Sequence, residues 1–246
     1  MQLVKKNIKD KKTLDFYKII SKISAMFASV EIENADETIN LALKFLGEFV
    51  NADRVYIFKY DLKRYISSNT YEYCAMGIPP FIDFLQEVSM TDMEHWMDLH
   101  QKGQAYYLKD INRLNRDDKV RIMLEPQGVK SLITFPLFNK DELYGFIGFD
   151  QVRRKRRYSN FEKFVLSEFS HTLLSTIKKI ELEKKFIENN KRMNYVIEAS
   201  NIGSWEWNIE TGETVFNEKW AEIIGYTLDE LGTTTIETWI KFTHPD

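Results

Sequence analysis

Cysteine is almost absent from this chain: Cys74 stands alone among 246 residues. One thiol makes no internal disulfide and supplies no zinc-binding set, which excludes a structural zinc and fits a reducing compartment. Long apolar runs are missing too. No uninterrupted stretch approaches the ~20 residues that span a bilayer, and no apolar segment follows the lysine-rich N-terminus. The expectation is a cytosolic protein without a membrane segment. Charge of one sign is also lacking, because 34 basic and 37 acidic residues are interspersed and leave a formal net charge of −3. No overall field therefore favours nucleic acid or an anionic membrane. Nor does the chain carry a Walker loop, a dinucleotide fingerprint, a nucleophile elbow or a kinase catalytic loop. With no nucleophile, base and orienter together, a non-catalytic role is expected.

What is present is a clear order of periodic segments. Phe16, Ile19, Ile20, Ile23, Met26 and Phe27 recur at helical spacing over 14–30. Ile39, Leu43, Leu46 and Val50 form a second helical stripe, with Asn34 or Asp36 as its N-terminal cap. Residues 54–60 and 66–75 are rich in β-branched and aromatic side chains around the short turn Asp61-Leu62-Lys63, which predicts a hairpin ended by Pro79-Pro80. Helical pieces are expected at 81–88 and 92–101, a short strand at 105–108, and a helix over 117–125 stopped by Pro126 and Gly128. Strands over 131–138 and 143–150 flank the polar turn Asn139-Lys140-Asp141-Glu142. Pro136 suggests an edge or bulge there, and Gly145 with Gly148 suggests close backbone approach.

From Ser159 to Ser200 there is neither proline nor glycine, and Ser159 stands three residues before Glu162 as in a capping box. One long helix, or two with a short break, is expected. Leu166, Leu173, Ile180 and Ile187 recur every seven residues, with Phe169 and Ile197 at the companion position, which suggests a weak parallel coiled coil.

Three blocks, Asn69-Thr70-Tyr71-Glu72-Tyr73-Cys74-Ala75-Met76-Gly77-Ile78-Pro79, 130–137 and Leu143-Tyr144-Gly145-Phe146-Ile147-Gly148-Phe149-Asp150, together resemble a sensory GAF domain over residues 14–185. The resemblance implies an α+β fold: a central antiparallel sheet flanked by helices, with a long C-terminal signalling helix. Residues 186–198 then form a helical linker. Residues 199–246, with Trp205-Glu206-Trp207-Asn208 and a terminal His244-Pro245-Asp246, resemble the first half of a PAS domain. Some fifty residues cannot enclose that domain's core, so the chain reads as part of a longer protein. The implied role is the sensory region of a multidomain bacterial signal transducer. It would bind a small molecule, or dimerise through its terminal helices, to control a C-terminal diguanylate cyclase or histidine kinase; the alternative is a dimerisation scaffold without ligand. No cofactor is assigned.

The expected pocket lies between one sheet face and the segments over it, lined by Tyr71, Glu72, Cys74, Trp96, Tyr106, Phe135, Phe149 and Asp150. Core packing is the competing role for the aromatic members, and holding backbone turns that for the two carboxylates. Cys74 is followed by Ala75 rather than the histidine of phytochrome-like attachment sites, so an inert strand cysteine is expected. His95 and His100 are five apart, a poor spacing for sharing a metal on one helix; Trp96 should pack inward with both histidines at the rim. His171 lacks the acidic neighbour of a phosphoacceptor histidine. The run Arg153-Arg154-Lys155-Arg156-Arg157 stands alone without stacking aromatics and reads as a solvated loop rather than a nucleic-acid site.

Overall fold

The structure, a computed structural model, describes residues 2–140 and 142–243, with side chains from residue 14 onward. It divides into two compact units, Met1–Leu182 and Glu183–Asp246. In the first, α1 (Gln2–Ala28) and α2 (Ala35–Val50) lead into β1 (Arg54–Asp61) and β2 (Ile66–Cys74). The short strand β3 (Val88–Ser89), α3 (Glu94–Gln101), β4 (Tyr106–Leu108) and α4 (Lys119–Leu124) follow. A second hairpin, β5 (Ser131–Asn139) and β6 (Glu142–Gln151), delivers the chain to α5 (Asn160–Ala199). The strands make one antiparallel sheet in the order β3-β2-β1-β6-β5-β4.

Alternation along β1 sets the two layers, because successive side chains leave a strand on opposite faces. Val55 and Ile57 face α1, α2 and α5, whereas Tyr56, Phe58 and Tyr60 face α3 and α4. Ile39, Leu43, Leu46 and Val50 of α2 are all fully buried on the first side. Leu166, Phe169, Leu173 and Ile180 of α5 join the same core. At about 1.5–3 kcal/mol for each large aliphatic or aromatic side chain, that burial fixes α5 firmly to the sheet.

These placements alter the reading of the heptad. Its first members are spent on the chain's own sheet, so of that heptad only Ile187 and Ile197 remain for an intermolecular coiled coil. The α2 cap also differs: a 3-10 turn (Ile32–Asn34) feeds the helix directly, and the Asn34 carboxamide oxygen accepts the Glu31 amide instead. Asp36 accepts the Tyr71 hydroxyl at 2.8 Å. Residues 81–88 do not form the expected helix. The Glu72 carboxylate takes the amides of Phe81 and Ile82, leaving a 3-10 turn (Ile82–Phe84) before β3 pairs with β2. Here tertiary hydrogen bonds override local spacing.

The hairpin glycines have steric causes. A Cβ on Gly145 would lie 1.9 Å from the Phe58 carbonyl oxygen, and one on Gly148 would lie 2.2 Å from the Tyr56 ring. Pro136 stands two residues beyond Thr134, the last β5 residue paired to β4, where that edge has no ladder amide to lose. Ser159 and Glu162 form the expected box: the Ser159 amide reaches the Glu162 carboxylate at 2.8 Å and the Glu162 amide reaches Ser159 Oγ at 3.2 Å.

In the second unit, β7 (Trp205–Trp207) and β8 (Thr214–Phe216) form a two-stranded antiparallel hairpin, its turn closed by Gly212 at φ 76°. Three short helices follow: α6 (Glu218–Ile223), α7 (Leu228–Leu231) and α8 (Ile236–Phe242). The His244-Pro245-Asp246 motif lies outside the described residues.

Candidate functional site

The side chains with the most chemistry gather on the α3/α4 face of the sheet. Arg54, at the start of β1, is 0% exposed. Its guanidinium reaches Asp150 Oδ2 at 3.4 Å, Glu72 Oε1 at 3.6 Å, Gln127 Oε1 at 3.3 Å and the Pro79 carbonyl at 3.2 Å. The Tyr56 hydroxyl donates to Asp150 Oδ1 at 2.8 Å. One cation thus holds together β1, β2, β6, the 79–81 loop and the turn after α4. Burial dominates the Asp150 carboxyl and pushes it up to about 7, although Arg54 and the Tyr56 hydrogen bond pull the other way. Among the described residues, Arg54 Nε has no hydrogen-bond partner.

Beside this network lies a small, partly open cavity of about 20 Å³, lined by Tyr56, Phe58, Met93, Trp96, Met123, Gln127 and Phe146 among others. That is room for about one water molecule. The aromatic side chains themselves occupy the space over the sheet: Phe58 stacks on Phe146 at 4.9 Å and Trp96 on Tyr106 at 4.7 Å. Two of the covering residues lie between β2 and α3: Leu85 in the turn that precedes β3 and Val88 in β3 itself.

His100 forms a second buried centre. Trp96 Nε1 lies 3.1 Å from His100 Nε2, Thr134 Oγ1 lies 2.9 Å from the same nitrogen, and the Tyr60 hydroxyl lies 2.8 Å from Nδ1. An indole can only donate, so Nε2 accepts and the ring proton sits on Nδ1, donated to Tyr60. Burial drives the imidazole down to about 3, which keeps it neutral near pH 7. His100 is therefore not at the rim as its sequence neighbourhood suggested; His95 is exposed and His100 is fully covered. Among the described residues, no group of three or more His, Cys, Asp or Glu is placed to hold a metal.

Strand parity separates the eight expected pocket residues. Glu72 and Asp150 join the Arg54 network, and Trp96 and Tyr106 belong to the α3/α4 core. Tyr71, Phe135 and Phe149 lie on the opposite face under α1, α2 and α5 and do not share the cavity. Cys74 ends β2 with its thiol 3.8 Å from the Pro79 carbonyl; burial pushes it up to about 11, which disfavours the thiolate. Arg54, Tyr56, Phe58, His100, Gln127 and Phe146 were not anticipated. Parity within 54–60 carries the signal for three of them, since residues 54, 56 and 58 share a face.

A different cluster ties the sheet to α5. Glu181 Oε1 accepts from Lys59 at 2.6 Å and from the Tyr144 hydroxyl at 3.0 Å, while Oε2 accepts from Lys178 at 3.1 Å. Burial pushes the Glu181 carboxyl up, but these donors outweigh it and leave the group below its ordinary value. Lys59 directly follows Phe58 of the cavity wall.

A six-stranded antiparallel sheet with α1, α2 and α5 on one face and an aromatic cavity on the other defines an α+β module. The sequence pattern of the GAF domain family matches residues 34–176, more than half of the chain, and the protein belongs to that family. The chain is 35% identical over 138 residues to the "Methanogenesis regulatory histidine kinase FilI" of Methanothrix harundinacea; the match covers 53% of this chain and 15% of that much longer protein. Among solved structures, the PixJ GAF domain of Thermosynechococcus elongatus in its blue-light absorbing form is similar with a TM-score of 0.52 and 20% identity, covering 70% of this chain and 94% of that one. The phycoerythrobilin-bound GAF domain from a cyanobacterial phytochrome is similar with a TM-score of 0.57 and 17% identity, covering 69% and 97%. At such identities the likeness concerns the fold.

Proposed function

We propose that this chain is a cytosolic regulatory region in which the GAF domain senses a small molecule over its α3/α4 face and passes the event through β1 to α5. The carrying observation is that one strand serves both sides: Tyr56 and Phe58 wall the cavity, and Lys59 holds Glu181 of α5. Trp96, Tyr106, Glu72 and Asp150 are the ligand contacts of this reading. Entry requires repacking of Met93, Met123 and Leu85, carried by short elements outside the sheet, and of Val88 on the two-residue edge strand β3. The ligand must favour one of two arrangements of these segments, since equal affinity for both would transmit nothing.

The output in this reading is a histidine kinase, favoured over a diguanylate cyclase by the regulatory kinase to which the chain is similar. Residues 199–243 are read as the opening half of a PAS domain between sensor and output. Support comes from the two-stranded hairpin followed by short helices, with Trp205, Trp207 and Val215 exposed. Dimerisation is assigned to α5 beyond Leu182. Leu182, Phe186, Met193 and Val196 are exposed there, at three- and four-residue steps when Asn189 is included.

The scaffold reading has its own support in the small volume of the cavity. Native mass spectrometry of freshly purified protein separates the two. A dimer carrying an extra small-molecule mass supports the sensor, a dimer of bare chains supports the scaffold, and a bare monomer contradicts signalling through α5.

A further inference from the structure

The arginine run is not simply a solvated loop. Lys155, Arg156 and Arg157 from the β6–α5 connection meet Lys109 and Arg113 from the β4–α4 connection around a cleft of about 200 Å³, with Asp110 as its one carboxylate. The two connections are locked together. Tyr107 of β4 donates its hydroxyl to the Arg156 carbonyl at 3.4 Å and accepts the Tyr158 amide at 3.2 Å, and Lys155 donates to Asp110 at 2.6 Å. The cleft is therefore formed by backbone-anchored segments rather than by chance approach of long side chains.

Its charge is unbalanced. Asp110 already accepts from Lys155 at 2.6 Å and from the Asn112 amide at 3.0 Å, which holds its carboxyl below the ordinary value. Arg156 is held by Glu162 at 2.6 Å and by the Asn51 carbonyl at 3.0 Å. Lys109, Arg113 and Arg157 have no carboxylate partner among the described residues. Converging like charges cost stability in the empty cleft, and a concave cluster of one sign concentrates counter-ions. Guanidinium groups suit phosphate oxygens, which they bind through paired hydrogen bonds.

We propose that this cleft binds a small phosphate-bearing anion, with Arg113, Arg157 and Lys109 as its principal contacts. The site lies apart from the aromatic cavity and stands whether or not that cavity takes a ligand. It also adjoins the start of the signalling helix. Arg156 holds Glu162 Oε1, and Glu162 Oε2 accepts both the amide and the hydroxyl of Ser159 at 2.8 Å. An anion that draws on Arg156 thereby acts on the cap of α5.

The test is calorimetric titration of the full chain with inorganic tripolyphosphate at low ionic strength. Wild type is expected to bind one equivalent saturably. The double variant Arg113→Ala/Arg157→Ala should bind at least about tenfold more weakly, the loss of roughly one strong contact. Arg64→Ala, exposed on the β1–β2 turn, should bind as wild type, and a cooperative circular-dichroism melt at or above the wild-type temperature establishes that the double variant is folded. Absence of saturable binding, or binding undiminished in the double variant, overturns the proposal. A single-stranded oligonucleotide that binds more tightly than tripolyphosphate overturns it in favour of nucleic acid docking.

Discussion

His100 shows how far one residue's role depends on what covers it. Its folded pKa of about 3 lies below the ordinary 6.5 because burial disfavours the imidazolium. Above pH 6.5 neither folded nor unfolded chain binds this proton, and the contribution of the site to stability is complete. Between pH 6.5 and about 3 the unfolded chain takes up a proton that the folded protein refuses, so stability falls by up to about 1.4 kcal/mol per pH unit. Urea melts of wild type and His100→Gln at pH 7, 6 and 5 should converge as pH falls, because only wild type carries this dependence. Parallel pH profiles would contradict the buried neutral histidine. The sequence disclosed the helix that carries His100 but not its depth. Residues four apart share a helix face, so Trp96 and His100 could be paired, yet their partners Tyr60 and Thr134 come from strands 36 and 38 residues away from Trp96 in sequence. Long-range hydrogen bonds leave no periodic trace. Glu72 and Asp150 were legible as special positions, and Arg54 was not, because a basic residue opening a strand ordinarily faces solvent.

At the scale of elements, period-two alternation explains both what was readable and what was missed. The two hairpins of the first unit, helices α1, α2 and α5, and the capping box at Ser159 follow directly from local pattern. The helix expected at 81–88 does not form because Glu72, nine residues earlier than Phe81, claims its first amides. Tyr71 and Glu72 could never have lined one pocket, being adjacent on an uninterrupted pair of β1–β2 rungs. The close approach of β1 and β6 yields a graded expectation. Gly145→Ala sets a methyl against the Phe58 carbonyl, which cannot turn aside, whereas Gly148→Ala meets a side-chain ring that can shift if its bond to Asp150 yields. Both should destabilise, Gly148→Ala by about 1–3 kcal/mol and Gly145→Ala by more, as read from chemical denaturation. Equal or negligible losses would mean that the strands are less tightly apposed.

Across the first unit, the sheet separates two cores that share β1 and β6. Filling or emptying the α3/α4 side must strain strands whose other face packs on α5, because close-packed interiors transmit displacement rather than absorb it. Glu181 lies where this coupling can be read, near the last buried turn of α5, with partners on β1, β6 and α5 itself. The matched segment covers 15% of the regulatory histidine kinase to which the chain is similar. The fold was readable because hairpins and amphipathic helices are local patterns; the separation into two cores was not, because it depends on which side of a strand each residue leaves.

The most direct test is hydrogen exchange at residues 176–186 in Trp96→Ala, with and without indole. The truncation removes the indole ring beside Phe146 and should cost about 3–5 kcal/mol, and added indole should refill the space and raise the melting temperature. Communication from cavity to helix predicts that indole also slows exchange across 176–186. Indole that binds and raises the melting temperature while exchange in α5 stays unchanged would contradict the account.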